Sequence, residues 1–256
     1  GSDRDVTLTV SNNLVAGNHA NTQGSGLWFG SETGYDAWGD LYHTTIADNG
    51  SAGHGADSGE GQGVYVGDYS TLVFANTIVA GHAGVGVTAT AGSQVTLDYT
   101  LWYSNGTNTG GDIASTHALT GDPAFVNPAA WDYHLRVDSA AIDAGGDAGV
   151  TQDIDGQSRP QDAGYDVGAD EYANQRPVAE AGAPQTIHRG TVTLDGAGSS
   201  DPDGDPLAYG WAQGGGPRVT FTPNLSVITF TAPATAGVLT FTLTVTDGYH
   251  ARSSDS

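Results

Sequence analysis

The chain has no cysteine, no methionine and no lysine, and its seven basic residues, all arginine, stand against 29 acidic ones. Without cysteine there is no disulfide, no thiolate nucleophile and no Cys-ligated metal, so hydrogen-bond ladders, packing and bound ions must hold the fold. A net charge of −22 repels phosphate backbones and anionic lipid, which excludes nucleic acid as a natural partner and favours divalent cations. No run approaches the roughly 18 apolar residues that a membrane-spanning helix requires. The opening GSDRDV lacks the charged-then-apolar pattern of a signal peptide, and Gly1–Ser2 reads as a cloning remnant or as the interior of a longer chain. Membrane insertion is not expected.

What is abundant is glycine, at 39 residues, together with Thr, Val, Asn, Asp and Ser. That composition favours short β-strands joined by tight turns, so the expected class is all-β. Four segments align without gaps: NLVAGN (13–18), TIADNG (45–50), TIVAGH (77–82) and TLWYSN (100–105). The alignment places Leu14, Ile46, Ile78 and Leu101 in one row, spaced by 32, 32 and 23 residues. Four residues earlier stand Val10, Tyr42, Phe74 and Leu97, and six earlier Leu8, Asp40, Leu72 and Val95. This period of two marks strands with one buried face. A second set of short strands, GLWFG (26–30), GVYVG (63–67) and GVGVT (84–88), follows the repeats. Units of this size cannot bury an apolar face alone and must stack on their neighbours. Parallel stacking into a right-handed β-helix is the expected arrangement, with SAGHGADSGEGQ (51–62) as a loop projecting from one face. Asp40, alone among apolar residues in its row, is expected at a bulge or as a catalytic or metal-bound exception. His43 and His82 lack metal-ligand spacing and are expected to be surface or satisfied residues.

The stretches GDPAFVNPAAWDYHLRVDSAAIDAG (121–145) and DIDGQSRPQDAGYDVGADEY (153–172) resemble the C-terminal module of bacterial extracellular pectin-lyase-like β-helix proteins of the choice-of-anchor Q type. The resemblance covers residues 5–173 and implies a right-handed parallel β-helix on a secreted or surface-attached protein. The second stretch holds six carboxylates and one arginine. As a cap closing the end of a solenoid, Asp153, Asp155 and Asp166 would accept backbone N–H bonds at turns. Gly156, Gly164 and Gly168 would supply positive φ, and Arg159 would pair with Asp155, Asp166 or Glu171. A calcium site and a reactive site stay open as alternatives for this stretch.

After Tyr172 the texture changes to the Ala/Pro-containing connector ANQRPVAEAGAPQ, followed by alternating runs TVTLDG, LAYGWAQ, RVTFT, SVITFTAP and VLTFTLTVTDG. Leu239, Phe241, Leu243 and Val245 share one strand face, and Trp211 suits the centre of a two-sheet sandwich. Residues 177–256 are similar to PKD-type Ig-like domains. The expected boundaries are a β-helix with its cap at 1–173, a linker at 174–183 and the sandwich at 184–256. The tail YHARSSDS lacks apolar alternation, so the last strand is expected to be missing through truncation or supplied by a neighbour. In SSDPDGDPL, Asp201, Asp203 and Asp205 alternate in a tight turn and, with Asp247, offer hard oxygen ligands to structural Ca²⁺; an ordinary Asp/Pro/Gly turn is the competing reading.

These features point first to a non-catalytic, secreted or cell-surface structural or adhesive module, self-associating through open solenoid ends or the unfinished sandwich, or meeting cell-surface glycans. The second reading is a β-helix polysaccharide lyase or glycoside hydrolase with an accessory PKD-like domain. Fold analogy alone carries that reading, since the carboxylates Asp40, Asp48, Asp68 and Asp98 form no motif. A third is glycan binding through Trp28, Tyr65 and Trp102. Sequons at Asn49, Asn105 and Asn224 would accept glycans in a glycosylating source.

Overall fold

In a computed structural model, the described residues are 6–20, 25–30, 36–50, 62–161, 163–249 and 251–256. The chain divides into two units, Gly1–Ala173 and Asn174–Ser256. It is nearly all β, and among the described residues the helical content is a single 3₁₀ turn, Pro128–Ala130.

The first unit runs through β1 (Val6–Ser11), β2 (Leu14–Ala16), β3 (Leu27–Phe29), β4 (Ala37–Ala47), β5 (Val64–Val66), β6 (Ser70–Ala80) and β7 (Val85–Ala89). It continues through β8 (Gln94–Tyr103), β9 (Thr107–Gly110), β10 (Ile113–Thr116), β11 (Leu119–Thr120), β12 (Phe125–Asn127) and β13 (Asp132–Leu135). One sheet has the order β1-β4-β6-β8-β10, with β2 on β4 and β11 on β8; a second has the order β3-β5-β7-β9. Every pair in both sheets is parallel. The chain alternates between the sheets, so each pass adds a long strand to one and a short strand to the other. Leu41, Ile46, Leu72, Phe74, Val79, Leu97 and Trp102 from the long strands meet Val64, Val66, Val87 and Ala89 from the short ones in a single core.

Each long strand is broken at the same place. Asn12, His43, Asn76, Tyr99 and His117 occupy the break in successive passes, with φ of 54°, 46°, 53°, 47° and 44°. A left-handed residue there turns the strand without ending its pairing, which resumes one or two residues later.

The structure corrects the sequence alignment by one residue in the second pass. Leu14 pairs with Thr45, Thr45 with Ile78 and Ile78 with Leu101, giving spacings of 31, 33 and 23. Ile46 therefore stands with Val15, Val79 and Trp102 in the core, while Thr45, Ile78 and Leu101 form the opposite, outward row. Both rows are buried, so this part of the strand has no alternation from which register can be read. The shift carries to the first half of the strand: Gly39, not Asp40, pairs with Leu8 and Leu72. Asp40 pairs with Thr9 and Val73 and takes a hydrogen bond from Thr9 Oγ1 at 3.4 Å, so it is not an exception among core positions. The loop expected at 51–62 lies outside the described residues except for Gln62.

A polar ladder stacks at the end of the long strands. Asn49 Nδ2 donates to the carbonyl of Val15 at 2.8 Å, and its Oδ1 accepts from Asn18 N at 3.0 Å. Asn105 repeats this two passes later, donating to Val79 O at 2.9 Å and accepting from His82 N at 3.1 Å. His82, fully buried, lies between them: Nδ1–H donates to Asn105 Oδ1 at 2.9 Å and Nε2 accepts from Asn49 Nδ2 at 3.3 Å. Gly63 permits the close approach, because a Cβ there would lie 2.9 Å from His82 Nε2 and 2.5 Å from the carbonyl of Gly86. The amides of Asn49 and Asn105 are thus held in the ladder, which leaves Asn224, exposed in a turn, as the accessible sequon.

The second unit contains β14 (Thr191–Asp195), β15 (Ala208–Gly215), β16 (Val227–Thr231), β17 (Thr240–Thr246) and β18 (Arg252–Asp255). Two antiparallel sheets, β14-β16 and β15-β17-β18, enclose Trp211, Ile228, Leu243 and Val245. Trp211 Nε1 donates to Leu225 O at 3.1 Å. Two expectations change. The tail does form a strand, β18, because pairing with β17 does not need apolar alternation at a sheet edge. The stretch RVTFT is not a strand, and Phe221 within it packs against Phe230 and Phe241. Residues of the expected linker join this unit, since Val178 N bonds Ser200 O and Ala181 N bonds Asp255 Oδ2.

Replacing Asn49 with Ala leaves Val15 O and Asn18 N unsatisfied, at about 1–3 kcal/mol each. We expect a fall in unfolding free energy on the order of 2–4 kcal/mol in denaturant titration, against a change within about 0.5 kcal/mol for the exposed Asn224→Ala.

Candidate functional site

Residues 141–172 have little regular structure, so their backbone groups are satisfied by side chains, and the acidic residues supply the acceptors. Asp153 Oδ1 accepts from the N–H groups of Asp155 and Gln157 at 2.9 and 2.7 Å, and its Oδ2 from Glu171 N at 3.2 Å. Asp166 takes Asp143 N on Oδ1 and Tyr172 N on Oδ2, each at 2.7 Å. Glu171 takes Gln161 N at 2.7 Å and Asp166 N at 3.0 Å. Arg159 Nη1 meets Glu171 Oε2 at 2.5 Å with both side chains fully buried, while Nη2 donates to the carbonyls of Gly168 and Ala169 at 2.9 and 2.7 Å. Of the three partners open to Arg159 in the sequence, Glu171 is the carboxylate it meets. Asp155 instead bonds His134 Nε2 at 2.7 Å. Gly156 and Gly168 have φ of 82° and 107°, whereas Gly164 is not in the left-handed region.

The segment's position differs from the expected terminal cap. Its contacts run to β4 and β6, the middle of the first sheet, and it acts as a clasp across the outward row. Ala169 N donates to Thr45 Oγ1 at 3.0 Å and Gly168 N to the carbonyl of Asn76 at 2.9 Å. A Cβ on Gly168 would lie 2.6 Å from Ile78 Cδ1, so this glycine permits both the turn and the contact. At the bend, Asn76 exchanges hydrogen bonds with Gly146, accepting from N at 2.9 Å and donating to O at 2.6 Å. Its other amide hydrogen goes to His43 Nε2 at 2.9 Å, and His43 Nδ1–H donates to the carbonyl of Asp166 at 3.2 Å.

Burial sets the protonation of this network. Desolvation, aided by the Arg159 charge, lowers the His43 pKa to about 3, and the imidazole is neutral. Desolvation likewise lowers the pKa of His82. Burial pushes Asp166 up to about 7 and Asp170 to about 6, with backbone N–H donors opposing the rise in both. What the arrangement does chemically is fasten backbone to backbone. His43, expected at the surface or satisfied, is buried with both ring nitrogens bonded. Sequence reasoning placed no role on Asn76, His134 or Asp170; the faint signal was a polar residue recurring at each strand break.

In the second unit, Asp201 Oδ1 accepts from Asp203 N and Asp205 N at 2.9 and 3.2 Å. Asp203 takes both Gln175 N and Nε2, at 2.6 and 2.9 Å. Asp247 Oδ1 accepts from Tyr249 N and Ala251 N, each at 2.9 Å, and its Oδ2 from Asn174 Nδ2 at 3.1 Å. Asp205 and Asp247 are buried, and the buried atoms Asp201 Oδ2 and Asn174 Oδ1 have no hydrogen-bond partner.

The PKD-domain family model matches residues 181–256, under a third of the chain, and these residues are a PKD-like domain. No curated protein matches the chain. A solved structure of a PKD domain from KIAA 1837 protein is 32% identical over 33% of this chain and 84% of that one, with a TM-score of 0.28. Another, a nucleoside hydrolase-related hypothetical protein from Saccharophagus degradans associated with carbohydrate metabolism, is 27% identical over 32% of this chain, with a TM-score of 0.28. This chain spans 24% of that structure's length.

Arg159→Met strands the buried Glu171 carboxylate, and we expect a loss of about 3–5 kcal/mol in unfolding free energy, measured by chemical denaturation. Neutral His43 makes the fold acid-sensitive in a defined direction: below the unfolded pKa of 6.5 the unfolded chain binds a proton that the native state refuses until about pH 3. Its stabilising contribution is complete above pH 6.5 and declines as the pH falls towards 3. Asp166, raised to about 7, acts in the opposite sense, its contribution being lost as the pH rises through 7. His43→Asn should therefore flatten the acid limb of the stability profile relative to the wild type; an unchanged slope would contradict the assignment.

Proposed function

We propose that the first unit is a right-handed parallel β-helix and that the chain is a non-catalytic structural or adhesive module of a secreted or cell-surface protein. One observation carries this reading: buried polar groups of the first unit are engaged in its own architecture. His82 is held between Asn49 and Asn105, and Arg159, Glu171, Asp166 and Asp153 bind backbone groups. The PKD-like domain fits an extracellular setting. Among the described residues no helix is long and apolar enough to cross a membrane.

Self-association is the further part of the proposal. Among the described residues, β1 and β3 stand at the same end of their two sheets, paired with β4 and β5. Leu8 and Leu14 at that end are 46% and 37% exposed. A second copy adding strands there would continue both sheets. Glycans are the alternative partner at the short-strand sheet, where Trp28, 55% exposed, is the cross-strand neighbour of Tyr65. Trp102 is buried in the core and takes no part in that surface.

Calcium fits the second unit. The oxygens Asp201 Oδ2 and Asn174 Oδ1 are buried without a donor; Asp205 lies just before β15 and Asp247 just after its partner strand β17, where Asn174 Nδ2 bonds it. An ion held by these residues would tie the start of the unit to the turn at 201–205 and so stabilise the domain.

Size-exclusion chromatography with light scattering and negative-stain imaging, with calcium and with EDTA, tests the assembly reading. We expect concentration-dependent oligomers or fibres. A strict monomer that cleaves a polysaccharide would overturn both self-association and the non-catalytic role. With a dissociation constant of ~10⁻⁴ to 10⁻³ M, ~2 mM calcium should stabilise the second unit by about 0.6–1.8 kcal/mol, and Asp201→Asn should remove that gain.

A further inference from the structure

The clasp contains a second cluster that its backbone fastening does not explain. In β13, Asp132 and His134 point to the same face, as residues two apart in a strand do. His134 Nδ1 lies 2.6 Å from Asp132 Oδ1, and Nε2 lies 2.7 Å from Asp155 Oδ2. Asp170, only 6% exposed, is fixed by the backbone N–H of Leu135, which donates to its Oδ2 at 2.7 Å. One ligand atom from each of His134, Asp155 and Asp170 lies within 4.8 Å of the other two.

We propose that His134, Asp155 and Asp170 bind one divalent transition-metal ion of the zinc, cobalt or manganese class, which staples β13 to the clasp. Asp132 supplies the independent sign. A carboxylate on Nδ1–H fixes the ring orientation and leaves Nε2 as the ligand atom, the arrangement found behind metal-bound histidines. In the structure His134 Nε2–H donates to Asp155 while Nδ1–H holds Asp132. A cation would displace the Nε2 proton to solvent and take Nε2 and the Asp155 oxygen as two of its ligands. One imidazole nitrogen and two carboxylate oxygens suit borderline ions, whereas Ca²⁺ and Mg²⁺ prefer all-oxygen sites. Bonds of about 2.1 Å place tetrahedral ligands about 3.4 Å apart, so the exposed Asp155 has to move back by roughly 0.7 Å. The ion would then join three stretches distant in sequence: β13, the turn beginning at Asp153 and the end of the clasp at Asp170. Asp132 is a positioning residue in this scheme, not a ligand.

The test uses the whole chain, stripped with a chelator and dialysed, then titrated with Co²⁺ while its visible absorption is followed. We expect a band that saturates at one equivalent, is displaced by Zn²⁺ and survives excess Ca²⁺. His134→Gln and Asp155→Asn should each abolish the band with circular dichroism unchanged. Asp132→Asn should keep the stoichiometry but weaken affinity about 10- to 100-fold. Asp195→Asn, at an exposed position of the second unit, should change nothing. The proposal fails if no band forms, if the band persists in His134→Gln or Asp155→Asn, or if Ca²⁺ displaces Co²⁺ as readily as Zn²⁺ does.

Discussion

Because β4, β6 and β8 pair in parallel, each residue of one pass meets its counterpart in the passes above and below, and one side chain must suit two neighbours at once. The other features of the first unit follow from this stacking. Left-handed residues recur at the strand breaks because all passes must bend at the same height. Leu41, Phe74 and Leu97 form a continuous apolar row, as do Ile46, Val79 and Trp102. At the strand ends, where a chain turning away would leave backbone groups without partners, Asn49 and Asn105 bridge to the preceding pass, and His82 joins them. A stack of this kind gains stability from nearest-neighbour contacts, so its central passes are held more firmly than its ends.

Stacking alone leaves the outward row of Thr45, Ile78 and Leu101 in water, and the clasp resolves that problem. It meets Thr45 and Ile78 with a chain whose own backbone has few regular partners, so carboxylates and Arg159 must satisfy it. Buried ion pairs contribute little to stability relative to apolar packing, but they penalise any arrangement that leaves a charge unpaired. The Arg159–Glu171 pair, tied to the backbone of Gln161, Asp166, Gly168 and Ala169, therefore acts mainly to fix the clasp's conformation. His43 and Asn76 carry that specification to the bends of β4 and β6.

Strand existence was legible from composition, repeats and alternation, and residues 181–256 are the PKD-like domain that their turn and strand pattern suggested. Register was not legible in the second pass. Residues 44–47 are buried on both faces, one by the core and one by the clasp, so period two disappears and Ile46 matches Ile78 by residue type alone. The clasp's chemistry could be read from DIDGQSRPQDAGYDVGADEY as turn-forming carboxylates around one arginine. Its location could not, because docking on β4 and β6 depends on Thr45 and Asn76, about a hundred residues away in sequence. The His134 cluster was hidden for the same reason: Asp155 and Asp170 meet it only through the tertiary path. In the second unit, β18 escaped notice because an edge strand of Arg, Ser and Asp carries no apolar signature.

The clasp is an integral layer of the first unit rather than a tail beyond its last strand. Native-state hydrogen exchange read by mass spectrometry tests this directly, through the amides of Gly145, Val167, Gly168 and Ala169. If the account is correct, these amides are protected to the same free energy as those of β6 and β8, and Asn76→Ala lowers protection at both. Rapid exchange of the clasp amides over a fully protected β6 would contradict it.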